Sequence, residues 1–248
     1  MIDYIGFNIC NGLISARKTY YLVEQTEDVM LRLPPAAQDI SSLRGLRIFS
    51  LATDLMQDSN FLKLDFKVDR AHQISDILRK ISTKVSFIDL EFHDAIKQIV
   101  WKKGHPIIGA KVADNNVKEI SFYYNMMPDI RQRRLSDIAH LVPDNRKDEC
   151  EHFWIYLLNN GFWLQMLSGV WRKDGRLLKI YFETNRTDAN INILTSYRDV
   201  EGNAPFAEVV KYSEYHQVPL SFLAIVINPE TYQLRYNVYF KPEVKVDE

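Results

Sequence analysis

Phe61-Leu62-Lys63-Leu64-Asp65-Phe66-Lys67-Val68 alternates in character along its length. Successive side chains of a strand point to opposite faces of a sheet. Leu62, Leu64, Phe66 and Val68 therefore share one face, and Lys63, Asp65 and Lys67 share the other. The division returns at Leu178 to Glu183, where Leu178, Ile180 and Phe182 oppose Lys179, Tyr181 and Glu183. It returns near the C-terminus, with Tyr236, Val238 and Phe240 opposite Arg235, Asn237, Tyr239 and Lys241. In the middle, Ile120, Phe122 and Tyr124 oppose Glu119, Ser121 and Tyr123. The earliest copy has two parities: the polar face holds either Arg17, Thr19 and Tyr21, or Lys18 and Tyr20.

Each of these strands is the second half of a hairpin. The five hairpins run over 5–23, 47–68, 107–124, 164–183 and 220–241. Their turns fall at Asn11-Gly12, Asp58-Ser59-Asn60, Asp114-Asn115-Asn116, Lys173-Asp174-Gly175 and Asn228-Pro229-Glu230. Asn, Asp and Gly tolerate the special dihedrals of tight turns. Helical spacing fills the gaps. One stripe is Ile74, Ile77, Leu78 and Ile81, and the next is Val85, Ile88, Phe92, Ile96 and Ile99. Leu135, Ile138 and Leu141 precede a helix over Phe153 to Leu158, and Phe206, Val209 and Val210 begin another. Pro34-Pro35 predicts short or broken helices in the first gap.

The predicted fold class is α+β: five ββαα-like units in one domain over 1–248. Helices between all the hairpins would cover one face of a continuous sheet. Ten antiparallel strands can then close into a barrel, which removes exposed edges. A single polar strand face with Lys and Tyr is ordinary solvated sheet. Five such faces with the same chemistry point instead to a lumen where cations and phenols meet. Such a lumen suits an anion attached to an apolar or cationic group, since Arg and Lys hold phosphates and tyrosine faces stabilise cations.

Composition narrows the function. The chain has 248 residues, 46% hydrophobic and 25% charged, and a net charge of −1. Without a basic excess, nucleic acid is not an expected partner. Two cysteines, Cys10 and Cys150, and no CxxC argue against a disulfide scaffold. Met1-Ile2-Asp3-Tyr4 has neither a basic region nor an apolar run, and no long apolar stretch follows, so a cytoplasmic protein without membrane spans is expected. There is no GxGxxG, Walker A, HExxH, GxSxG or DDxxD motif. Asp148-Glu149-Cys150-Glu151-His152 looks like a ligand cluster, but it runs into Phe153, Trp154 and Leu157 at helical spacing. It reads as the polar start of an amphipathic helix, with Asp148 near its N-cap.

With this strand order the chain resembles the aromatic prenyltransferases of the ABBA barrel, and among them the peptide-modifying cyanobactin prenyltransferases. The resemblance spans nearly the whole chain. It is carried by Gly12 to Arg17, Ile48 to Val68, Ile108-Gly109, Glu119 to Tyr123, Ile180 to Arg186 and Leu234 to Lys241. It implies transfer of an isoprenyl group, dimethylallyl or geranyl, from its diphosphate to a nucleophilic side chain or terminus of a peptide. The reaction passes through an allylic cation, with Mg2+ held by the phosphates. Under the resemblance, Arg17, Lys63, Lys67, Lys179 and Arg235 would bind diphosphate, and Tyr123, Tyr181 and Tyr239 would shield the cation. Asp3 would be the catalytic carboxylate, where the family uses Glu. Asp65, Glu119 and Glu183 would either pair with the lysines or receive a basic acceptor such as a guanidinium. Bulk between Met166 and Gly169 would set donor length. Two other readings share the barrel: an inactive peptide- or prenyl-binding module, and a prenyltransferase acting on small aromatic molecules.

Overall fold

The computed structural model describes residues 4–11, 13–24, 26–54, 61–99, 105–126, 138, 140–184, 191–199, 202–216, 220–231 and 233–241. Ten strands carry the chain: β1 Tyr4–Cys10, β2 Leu13–Leu22, β3 Leu46–Asp54, β4 Phe61–Val68, β5 Ile107–Ala113, β6 Asn116–Asn125, β7 Trp163–Arg172, β8 Gly175–Glu183, β9 Leu220–Ile227 and β10 Leu234–Phe240. Each pairs antiparallel with its neighbours in sequence, and β10 returns to β1, which closes the barrel. The strand ends joined through hairpins consequently lie at one end of the barrel, and the strand ends joined through crossovers at the other. The ten-stranded antiparallel barrel ringed by helices is therefore the observed fold.

The turn residues explain the hairpins. Asn11, Asp114 and Asn115 have φ of 52°, 51° and 56°, and Gly175 has φ of 123°. These are left-handed conformations that Asn, Asp and Gly accept most readily. The turn of the second hairpin, at 55–60, lies outside the described residues. Register shifts interrupt the ladders at Asn8/Ile9, Ile48/Ser50, Lys111/Val112, Leu164/Met166 and Tyr239/Phe240. Such bulges bend strands and help a sheet curl.

Outside the barrel, α1 (Glu27–Leu31) and α2 (Pro35–Ser41) fill the first gap, with Pro35 in the first turn of α2. Then come α3 (Ile74–Ser82), α4 (Leu90–Ile99), α5 (Lys147–Asn159), α6 (Ile191–Ser196) and α7 (Ala207–His216). The stripe from Val85 to Ile99 is helical only from Leu90. Asp89 accepts from the amides of Glu91 (2.9 Å) and Phe92 (3.3 Å), so the helix is capped there. Asp148 lies in the first turn of α5, near the N-cap Arg146, as its place before the apolar stripe predicts. Leu135 lies outside the described residues; Ile138 is fully buried.

The apolar core is the layer between barrel and helices, built from the outward faces of the strands. Phe7 packs on Tyr212 of α7, Phe122 on Phe92 of α4, and Phe182 on Trp154 of α5, with ring centroids 4.6, 6.4 and 5.1 Å apart. Each of these three strand phenylalanines is at most 2% exposed. This layer commits the opposite parity of every strand to the lumen. No described helix is long and apolar enough to cross a membrane.

Candidate functional site

The lumen has two tiers. The upper tier, at the end where the helices leave, is a cavity of about 180 Å³. Its walls include Tyr20, Tyr123, Tyr181, Tyr239, Phe222 and Met166, with Lys63 and Asp65. The tyrosines form an arc: Tyr20–Tyr239, Tyr239–Tyr181 and Tyr181–Tyr123 have centroids 5.9, 6.1 and 6.1 Å apart. Lys63 closes the arc, with its ammonium 5.6 Å from the Tyr20 ring and 5.2 Å from the Tyr123 ring. Room for the arc comes from Gly6, where a Cβ would stand 2.9 Å from the Tyr239 ring and 3.1 Å from that of Tyr20.

Lys63 is buried and fully engaged. Its ammonium donates to Tyr123 Oη at 2.9 Å and lies 3.2 Å from Asp65 Oδ1. Ser121 Oγ donates to the same phenol at 3.1 Å. Burial alone would lower the proton affinity of Lys63, but Asp65 and the surrounding phenols raise it well above the ordinary lysine value. Burial pushes the Tyr123 phenol up to about 12 and those of Tyr20 and Tyr181 well above their usual value. The chamber thus sets the neutral phenols of Tyr20, Tyr123 and Tyr181 around the Lys63–Asp65 ion pair.

The lower tier is polar and buried. Ser168 of β7 lies opposite Lys179 of β8, and Glu119 of β6 lies opposite Arg172 of β7. Glu119 accepts from the Arg172 guanidinium at 2.6 and 2.8 Å. Burial would raise the Glu119 carboxyl, but Lys179, Arg172, Lys18 and Lys63 together hold it far below the usual carboxylate range. Lys179 is 7% exposed, and among the described residues no carboxylate lies within 4.0 Å of its ammonium. Burial lowers its proton affinity to about 7; Glu119 opposes this, while Lys18, Lys63 and Arg172 reinforce it. The amine is thus buried among cations, with Glu119 as the acidic group that opposes the shift.

The structure brings Lys63, Lys179, Tyr123, Tyr181, Tyr239, Asp65 and Glu119 to the lumen face, and it separates the other expected residues. Arg17 is on the outer face: its guanidinium donates to Tyr212 Oη of α7 at 3.2 Å and stacks 5.0 Å from that ring. The pairing of Gly6 with Lys18 instead puts Lys18 and Tyr20 inside, which resolves the parity of β2. The expected place of Arg17 among the lumen cations is therefore corrected. Lys67 is exposed at the rim, its ammonium 5.2 Å from the Phe49 ring. Arg235 pairs with Val226 toward the hairpin end, where its Nε donates to Gln233 at 3.0 Å. The five expected cations thus do not form one cluster. Glu183 ends β8 beside Phe222 and is half-buried. Asp3 lies outside the described residues. Of Met166 to Gly169, Met166 lines the cavity, but a Cβ on Gly169 would meet Phe122 of the outer layer. Lys18, Arg172, Ser121 and Ser168 are lumen residues that alternation left unassigned or unmentioned as site groups. Arg172 was accessible from its place two residues beyond Val170 on β7, on the same face.

No family model matches the chain, and no curated protein does. Solved structures do. One is 6-dimethylallyltryptophan synthase from Micromonospora olivasterospora in complex with DMASPP and Trp. It is 10% identical with a TM-score of 0.65, over 97% of this chain and 81% of that one. Another is NotF in complex with brevianamide F and DMSPP, 10% identical with a TM-score of 0.60, over 97% and 80% of the two chains. The chain shares its fold with both.

Proposed function

We propose that this barrel transfers an isoprenyl group from a prenyl diphosphate to a nucleophilic acceptor through an allylic cation. The observation that carries the reading is the stacking of a phenol-lined chamber on a cation-rich tier within one closed lumen. Two proteins of the same fold, solved with DMASPP and DMSPP, support it.

Each tier has a task in this chemistry. Lys63 and Lys179, aided by Lys18 and Arg172, face the diphosphate. They oppose the charge that grows on the leaving oxygen as the carbon–oxygen bond breaks. Tyr123, Tyr181 and Tyr239, with Tyr20, present ring faces to the allylic cation. The barrel wall excludes the water that would otherwise quench it. Magnesium would enter with the diphosphate. Among the described residues no group of three His, Cys, Asp or Glu side chains is placed to hold a metal. Among the described residues the one carboxylate lining the cavity, Asp65, is paired with Lys63. These described residues do not make a protein cage for the ion.

The acceptor in this reading is a peptide, and the donor is dimethylallyl diphosphate. A chamber of about 180 Å³ is smaller than pockets that enclose a drug-sized molecule, roughly 300 Å³ and more. It fits one reactive side chain beside a five-carbon group, with the rest of the acceptor on the rim. A small aromatic acceptor is the competing reading, favoured by the tryptophan bound in the first structural neighbour. The test is incubation with dimethylallyl diphosphate, magnesium, a panel of linear and cyclic peptides, and free tryptophan and tyrosine. Mass spectrometry should find one isoprenyl unit added to a peptide, with pyrophosphate released in equal amount. Modification of the free amino acids alone would assign the small-molecule reading. Binding of donor without transfer to any acceptor would leave a binding module.

A further inference from the structure

Transfer leaves one task that neither tier described above performs. The captured acceptor atom carries a positive charge and a proton, and something must take the proton. We propose that Asp65 is that base, and that donor binding frees it by drawing the Lys63 ammonium away. The inference rests on the prenyl-transfer reading.

Three features of the site carry it. Asp65 is 8% exposed and, among the described residues, is the one carboxylate that lines the chamber. Its Oδ1 is 3.2 Å from the Lys63 ammonium but accepts no hydrogen bond, so charge holds the pair without directional bonding. Space for the carboxylate is kept by Gly109 across the ladder: a Cβ there would stand 2.8 Å from Asp65 Oδ1 and would run into Ser121 Oγ.

Coulomb attraction scales with the product of the charges. A diphosphate carries several negative charges, and the carboxylate carries one. The Lys63 ammonium, anchored also to Tyr123 Oη, turns toward the donor and leaves Asp65 facing the chamber. The wall phenols of Tyr20, Tyr123 and Tyr181 are kept protonated by burial. In the reaction, the donor's carbon–oxygen bond breaks with its electron pair going to pyrophosphate. A lone pair or π pair of the acceptor forms the new bond to the allylic carbon. The proton of the acceptor atom passes to an Asp65 carboxylate oxygen. Atoms and charges balance without any further reactant.

The experiment compares wild type, Asp65→Asn and Asp3→Asn in two readouts, pyrophosphate binding by calorimetry and acceptor transfer in a single turnover. Asp65→Asn should bind pyrophosphate several-fold more tightly, because Lys63 is no longer neutralised. It should transfer about 100-fold more slowly or worse, the usual scale of losing a positioned base. Formate added to Asp65→Ala should restore part of the rate in proportion to its concentration. Pyrophosphate, which pairs Lys63 in either variant, keeps these proteins folded during purification. A merely structural role would weaken binding and transfer together. Transfer by Asp65→Asn within a few-fold of wild type overturns the proposal, as does a loss confined to Asp3→Asn. Absence of transfer by the wild-type protein to every acceptor would instead count against the underlying reading.

Discussion

Replacing Lys179 by methionine should stabilise this protein in acid and progressively less in alkali. Methionine matches the length of the lysine stem and removes the amine from a tier that already holds Lys18 and Arg172. In the folded barrel the amine titrates near 7, against an ordinary 10.5, because burial and neighbouring cations disfavour its charge. Between those two pH values the unfolded chain binds a proton that the folded one has released. Wild-type stability must therefore rise with pH across this window, and the cost of the buried charge is present in full below it. The slope is about 1.4 kcal/mol per pH unit. From pH 7 to pH 9 the advantage of Lys179→Met should shrink by about 2–3 kcal/mol. The assay is urea unfolding of both proteins at pH 6, 7, 8 and 9. Other titrating groups are common to both and cancel in the difference. An advantage that does not change with pH would place the Lys179 amine in solvent and refute the closed lower tier.

Pyrophosphate affinity should fall as pH rises above about 7, because Lys179 then loses its proton, and Lys179→Arg should flatten that dependence; calorimetry across pH 6–9 checks both. Lys63→Ala should slow transfer by about 100-fold or more, the scale of removing one charge-stabilising donor, and should lower stability by about 3 kcal/mol by leaving Asp65 buried alone. Arg17→Ala should cost about 1 kcal/mol or less through its lost contact with Tyr212 and leave pyrophosphate affinity unchanged, read by thermal melting and calorimetry. Gly6→Ala should push the Tyr239 and Tyr20 rings into the chamber and slow transfer, with a far-ultraviolet circular dichroism spectrum like that of wild type.

Much of this architecture is legible from alternation and turn chemistry because both are local. The Lys63 strand has apolar and charged residues in strict turn, so its parity has one solution. Asn11, Asp114 and Asn115 adopt the conformations for which their residue types are suited. β2 resists the same reading, since Arg17 and Lys18 put cations on both faces and Tyr20 and Tyr21 put phenols on both. What decides it is a tertiary fact: Tyr212, from a helix almost two hundred residues later, takes the Arg17 guanidinium. Depth along a strand is similarly hidden. Lys63, Lys67, Lys179 and Arg235 share the lumen parity, but Lys67 is at the rim and Arg235 near the hairpin end, and only the stagger of neighbouring strands sets their height. The start of α4 is legible in Asp89, a capping residue inside the apolar stripe from Val85 to Ile99.

The central claim is that one lumen holds a prenyl diphosphate with its charge below and its carbon chain above. A crystal structure with a non-hydrolysable dimethylallyl thiolodiphosphate tests it most directly. The diphosphate should contact Lys63 and Lys179, with the five-carbon chain between Tyr123, Tyr181 and Tyr239 and the Lys63–Asp65 pair opened. An analogue found outside the barrel, or a chamber left unchanged at saturating analogue, would contradict the account.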